Sequence, residues 1–174
     1  MQRFAGKVVV VTGGASGIGA GVAAAFAREG AVVAVLDIRA GAADQDGADR
    51  RFCQCDVSDE NSVETTFDQV AAECGAVDIL CAALLGVSAP FHELTLNAWS
   101  RYVDTNLTGS FLASRAAASR MVANGTAGRL ILIGSVNSFA SERSAAPYAS
   151  SKGGVRMLTR SARLISPSTG SRST

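Results

Sequence analysis

Lys7-Val8-Val9-Val10-Val11 breaks abruptly into Thr12-Gly13-Gly14-Ala15-Ser16-Gly17-Ile18-Gly19, and a helical stretch from Ala20 to Glu29 follows. No other stretch restricts the fold so strongly. A continuous β-branched run bounded by turn residues reads as a strand buried on both faces. When such a strand passes through glycines straight into a helix, it belongs to a βα unit of a parallel sheet. The glycines allow close backbone approach, and the helix amino terminus offers free N–H groups and the positive end of its dipole. Together they form a cradle for a pyrophosphate, with Thr12, Gly13, Ser16, Gly17, Ile18 and Gly19 as its candidate lining.

The remaining text repeats the alternation. Apolar runs predict strands at about 7–12, 31–36, 51–55, 77–82 and 129–134, and helical patterns fall at about 18–29, 59–74, 97–123 and 147–163. The third helical pattern is expected to break near Asn106. Strands alternating with helices define an α/β, doubly wound parallel sheet. Ser58, Asp59 and Glu60 form a helix start, with Ser58 expected to supply a capping hydroxyl and the acids to complement the dipole. Ala40 to Asp49 is short, small and polar, so no full crossover helix is expected there.

A chain of 174 residues with net charge +1 is large enough for one real core and lacks the basic cluster that nucleic-acid binding needs. No apolar stretch approaches the roughly 20 residues of a membrane span, and the start lacks the charged-then-apolar layout of a secretion signal. A cytoplasmic protein is expected. Cys53, Cys55, Cys74 and Cys81 match no zinc spacing, and Cys53 and Cys55 share one face of a strand. They read as buried structural thiols, and no metal site is expected. His92, beside Pro90 in a loop, is not a catalytic candidate.

Asp37 closes the second strand, where a carboxylate can accept both ribose hydroxyls of an adenosine and repel a 2′-phosphate. That favours NAD over NADP, with neighbouring Arg39 as the one cation on the other side of the question. Asp37 as a merely solvated strand-end acid is the competing reading. Farther on, Leu130-Ile131-Leu132-Ile133-Gly134 delivers Ser135 to the carboxyl end of a buried strand. In Tyr148-Ala149-Ser150-Ser151-Lys152 a phenol and an ammonium stand at i and i+4 on one helix face. An ammonium close to a phenol favours the phenolate, which makes the pair a proton donor and acceptor.

The glycine spacing, Ser135 and the Tyr-x-x-x-Lys motif, in that order, closely resemble the short-chain dehydrogenase/reductase family, from about Lys7 to Ser161. The resemblance implies a Rossmann fold in which Tyr148 is the acid/base and Lys152 tunes it and bonds the nicotinamide ribose. It further implies that Ser135 polarises the substrate oxygen and that Asn106, in Asn106-Leu107-Thr108-Gly109, relays protons through water. Asp56 would bond the adenine amine and Val57 would pack on its ring, although Asp56 also suits a plain capping role. The substrate implied is a small secondary alcohol or ketone, and the implied assembly is a dimer or tetramer through the helices at about 105–123 and 147–163.

Two departures stand against this pattern. Where the family carries Asn-Asn-Ala-Gly after its fourth strand, this chain reads Cys81-Ala82-Ala83-Leu84-Leu85-Gly86. Each hydrogen bond lost with those amides costs about 1–3 kcal/mol if its buried partner goes unpaired. The second departure is at the end, where a nucleotide-binding domain over 1–163 gives way to a disorder-like tail over 164–174. With permitted codons, Ala162 to Thr174 reads in another frame as Ser-Ile-Asp-Phe-Ala-Gln-His-Gly-Ile-Gln-Val-Asn, so a frameshift or truncation is expected. The sheet would then be incomplete at its carboxyl-terminal side, with the fifth strand exposed as an edge and assembly undermined. Three readings stay open: an NAD-dependent oxidoreductase, a catalytically impaired NAD-binding fragment, and an inert misfolded product.

Overall fold

A computed structural model of the chain describes residues 2–39, 50–82 and 90–162. Ala40 to Asp49, the departure over Ala83 to Gly86, and the tail over 164–174 lie outside the described residues. Among the described residues, five parallel strands form the sheet: β1 (Val8–Thr12), β2 (Val32–Asp37), β3 (Arg50–Gln54), β4 (Val77–Ala82) and β5 (Arg129–Leu132), in spatial order β3-β2-β1-β4-β5. From β1 the chain winds outward in one direction to β2 and β3, then in the other to β4 and β5. The point where the winding reverses lies between β1 and β4, and the crevice at the carboxyl ends of those strands is where open α/β sheets bind ligands.

Both faces of the sheet are covered. Val8 and Val10 of β1 join Phe67 and Val70 of helix α2 (Glu60–Cys74) and Leu112 and Ala116 of helix α4 (Gly109–Ala123) in one core. Val9 and Val11 point the other way, into a second core with Ala23 and Phe26 of helix α1 (Gly17–Arg28). Successive side chains alternate across a strand, so an unbroken valine run fits only a strand packed on both sides. Cys53 and Cys55 are both buried in the first core and unbridged, and burial pushes the Cys53 thiol up to about 11.

Three sequence expectations need correction. Helix α2 is capped by Asp59, whose carboxylate accepts from the Ser62 N–H at 2.6 Å, and not by Ser58. Ser58 instead donates from both its N–H and its hydroxyl to Asp56, at 2.9 and 2.6 Å, because the turn brings it back onto the strand end. β5 stops at Leu132 and does not reach residue 134, since the chain turns there toward a short 3₁₀ turn at Val136–Ser138. The helical pattern at about 97–123 resolves into α3 (Leu96–Tyr102), a π-helical segment (Val103–Thr108) and α4. The break expected near Asn106 is therefore a widened turn inside a continuous helical path.

At its far side β5 is an edge of the described sheet, with its residues exposed or only half-buried. Helix α5 (Ala146–Ala162) begins with Pro147 in its first turn, where a missing N–H costs nothing, and packs on the π-helical segment. A side chain at Gly154 would meet the Leu107 methyls at 2.7 and 2.9 Å, so glycine there sets how closely α5 approaches.

Candidate active site

The glycine turn after β1 has the form its sequence predicts. Gly13 and Gly17 sit at φ 63° and 53°, in the left-handed region that favours glycine. Thr12 is buried, the Gly14 N–H donates to the Leu36 carbonyl at 3.4 Å, and Ser16 stands at the N-cap position of α1. The first regular bond of α1 runs from the Ala20 N–H to the Ser16 carbonyl at 3.1 Å. Amides of the preceding residues, Gly17, Ile18 and Gly19, belong to the first turn, where a helix has no internal acceptors. Gly19 is pressed against Gly13, and a Cβ there would collide with the Gly13 carbonyl. This is a cradle of backbone donors that fits a phosphate anion.

Asp37, at the end of β2, is tied to the tip of that turn. Its carboxylate accepts from the Ala15 N–H at 3.2 Å and from the Arg39 N–H at 3.4 Å. Half-buried and anchored by backbone donors, it is not a freely solvated acid. Asp56 follows β3 and is engaged within its own turn by Ser58. Val57 is buried against Gly109, where an added Cβ would come within 2.8 Å of a Val57 methyl. Its side chain therefore belongs to the core between β3 and α4.

The elements that carry Asn106, Ser135, Tyr148 and Lys152 meet on the β5 side of the sheet, where α5 packs on the π-helical segment and on the 3₁₀ turn that Ser135 opens. Lys152 is buried and donates from Nζ to the Ile133 carbonyl, just past β5, at 2.7 Å. The same ammonium lies 5.9 Å from the centroid of the Tyr148 ring. Burial holds the Lys152 pKa below its ordinary value. Ser135, two positions beyond Ile133, caps the 3₁₀ turn: its hydroxyl oxygen accepts from the Asn137 N–H at 3.1 Å and keeps its own proton to donate. Asn106 is fully buried in the π-helical segment and donates from Nδ2 to the Ser151 hydroxyl at 3.0 Å. His92 sits exposed in a 3₁₀ turn (Phe91–Glu93), 3.5 Å from the Glu93 carboxylate.

Two residues went unnoticed in the sequence. Ser151 lies inside the Tyr-x-x-x-Lys motif, but its role depends on a contact across the fold. Ser110 donates to the Asn106 carbonyl at 2.6 Å, and its i+4 spacing from Asn106 was the available signal. Among the described residues, no cluster of His, Cys, Asp or Glu suits a metal ion, and no helix is long and apolar enough to cross a membrane.

A parallel, doubly wound sheet with a glycine cradle at one strand end and a Ser, Tyr and Lys group at another defines a nucleotide-binding oxidoreductase class. The sequence pattern of the short chain dehydrogenases matches residues 7–170, past Ser161 where the motif resemblance fades, and the chain belongs to that family. Family members of this kind bind a nicotinamide cofactor. The chain is 37% identical over 179 residues to cis-4-hydroxycyclohexanecarboxylate dehydrogenase of Sinomonas cyclohexanicum, covering 98% of this chain and 72% of that protein. It is 41% identical over 165 residues to an uncharacterized oxidoreductase of Thermotoga maritima, covering 90% of this chain and 64% of that one. The crystal structure of apo LigO from Sphingobium sp. strain SYK-6 superposes with a TM-score of 0.90 at 28% identity, covering 96% of this chain and 65% of that one. This chain thus spans about two thirds of the length of several proteins it matches.

Proposed function

We propose that this chain binds NAD and exchanges a hydride with a small secondary alcohol or its ketone. The observation that carries this reading is the common edge. Thr12, Asp37 and Ser135 all follow or end parallel strands, so the phosphate cradle, the carboxylate and the Ser-Tyr-Lys group open toward the same crevice. The residues fit the cofactor: the Gly13–Gly19 turn would hold the pyrophosphate and Asp37 the adenosine ribose. When bound, the nicotinamide supplies or accepts the hydride.

The chain's own residues handle the proton and the charge. Tyr148 gives a proton to the carbonyl oxygen in reduction, or takes one from the alcohol in oxidation. Ser135 donates its free proton to that same oxygen and holds it as charge develops there. Lys152 keeps a positive charge beside the phenol ring and would bond the nicotinamide ribose. Asn106 forms the inner end of a proton relay. Asp37 supports NAD over NADP, because its carboxylate would repel a second negative group at the ribose, with neighbouring Arg39 as the cation on the other side of the question. Val136 and Phe139, exposed beside Ser135, offer an apolar rim for the carbon body of a substrate.

The test is oxidation of cis-4-hydroxycyclohexanecarboxylate and a panel of simple cyclic and acyclic alcohols, followed by reduced-nicotinamide absorbance with NAD and with NADP. Turnover with NAD that Tyr148→Phe abolishes, while NAD binding stays within about twofold, is the expected result. NAD binding with no turnover on any alcohol would leave a nucleotide-binding protein and overturn the catalytic half of the proposal.

A further inference from the structure

We infer that Ser151 is a positioning residue that fixes the orientation of the Asn106 side-chain amide. The inference rests on the proposed relay role of Asn106 for its functional meaning, but its geometry stands independently. Ser151 is fully buried, and its hydroxyl donates to the Tyr148 carbonyl, one turn back on α5, at 2.7 Å. A hydroxyl owns one proton, and this one is committed. Toward Asn106 the Ser151 oxygen can therefore only accept. The atom facing it at 3.0 Å must be the NH₂ group, and the amide oxygen must point the opposite way.

The backbone of Asn106 is held as firmly. Ser110 donates to its carbonyl at 2.6 Å within the widened helical turn. The close approach at Gly154 and Leu107 brings α5 near enough for the Ser151 contact to form. Asn106 is thus clamped at main chain and side chain by two serines outside the catalytic group. An amide rotated by half a turn would offer donors where it now offers an acceptor. A proton relay that passes this amide depends on that polarity. The Tyr148 carbonyl that sets the Ser151 proton belongs to the proposed acid/base residue itself, so the helix bearing the phenol also dictates the amide's orientation.

The test has an arm that needs no turnover. In the full chain with asparagine side chains labelled by ¹⁵N, the two Asn106 amide protons are expected as a distinct pair protected from solvent exchange. Ser151→Ala should abolish that protection, and Ser151→Thr, which keeps the hydroxyl, should restore it. If Ser151→Ala does not fold, Ser151→Cys, similar in size but a weaker partner, is read in the same way. Unchanged protection in the folded Ala or Cys variant overturns the inference. The kinetic arm uses the alcohol turned over best: Ser151→Ala should lower kcat on the order of 3- to 10-fold, the size of one hydrogen bond's bias, with KM nearly unchanged. In an Asn106→Ala background the same change should cost nothing further, whereas an independent loss would show that Ser151 acts elsewhere. If Asn106→Ala alone leaves kcat intact, the relay reading fails while the NMR result on orientation stands.

Discussion

Gly19→Ala and Gly21→Ala make the same chemical change two residues apart on α1 and should give opposite outcomes. At Gly21 an added Cβ meets nothing within 4 Å. Helical glycine replaced by alanine without a clash stabilises by about 0.5–1 kcal/mol, which raises Tm by roughly 1–4 °C in a chain of this size. At Gly19 the added carbon would strike the Gly13 carbonyl oxygen and lie 2.7 Å from the Gly13 carbonyl carbon and 3.0 Å from Gly14 Cα. Carbon atoms pack at about 3.5–4.0 Å, so the helix end must retreat from the turn by close to 1 Å. The obstructing atoms are backbone and have no rotamer to change. Overpacking of this kind costs about 1–3 kcal/mol, which overwhelms the helix-propensity gain. The same displacement spreads the amides of Gly17, Ile18 and Gly19 away from the turn. If the lost energy falls on cofactor binding, NAD affinity drops roughly 5- to 150-fold. Calorimetric titration with NAD and thermal unfolding of both variants check this directly. Gly19→Ala matching Gly21→Ala in Tm and in NAD affinity would refute the argument that this helix end and its turn form the phosphate cradle.

Three other perturbations test separate parts of the structure. Asp37→Ala removes an acceptor bonded to the turn and proposed for the ribose, so NAD should weaken roughly 10- to 100-fold while NADP gains relative to it, measured by parallel titrations. Asp59→Ala deletes the side-chain cap of α2 and should lower stability by about 0.5–2 kcal/mol in urea melts, whereas Ser58→Ala, which caps nothing, should not disturb that helix end. With its pKa raised from 9.0 to about 11, the Cys53 thiol keeps its proton in the folded state after the unfolded chain has lost it. The folded form then binds more protons across that window, so stability falls as pH rises from 9 to 11, by about 3 kcal/mol at most from this group. Lys152 acts in the opposite sense, its lowered pKa making stability rise with pH up to the ordinary 10.5. Comparing Cys53→Val with the parent chain over that window isolates the cysteine, and identical pH dependence would mean that Cys53 is not held in its buried, protonated state.

Much of this protein was written locally. The unbroken Val8–Val11 run announced a strand covered on both faces, because alternate side chains leave no face for water. The glycines of the turn, the acid ending β2 and the i, i+4 placement of Tyr148 and Lys152 are decided by sterics and spacing within a few residues. These features were legible together with the family. Other features depended on what lies across space. Ser58 and Asp59 are both good caps by type, and only the path of the turn gives the cap to Asp59 and folds Ser58 onto Asp56. Around the widened turn at Asn106, Val57 packs against Gly109 and Leu107 against Gly154, each glycine letting its neighbour approach. Lys152 finds the Ile133 carbonyl, and Ser151 meets Asn106 across 45 residues of chain, because α5 packs on the π-helical segment and on the 3₁₀ turn that follows β5. Local sequence sets which element forms and which faces are apolar, since those follow from backbone sterics and periodicity. The partner that each buried donor finds is a property of packing, and that is what the tertiary structure decided.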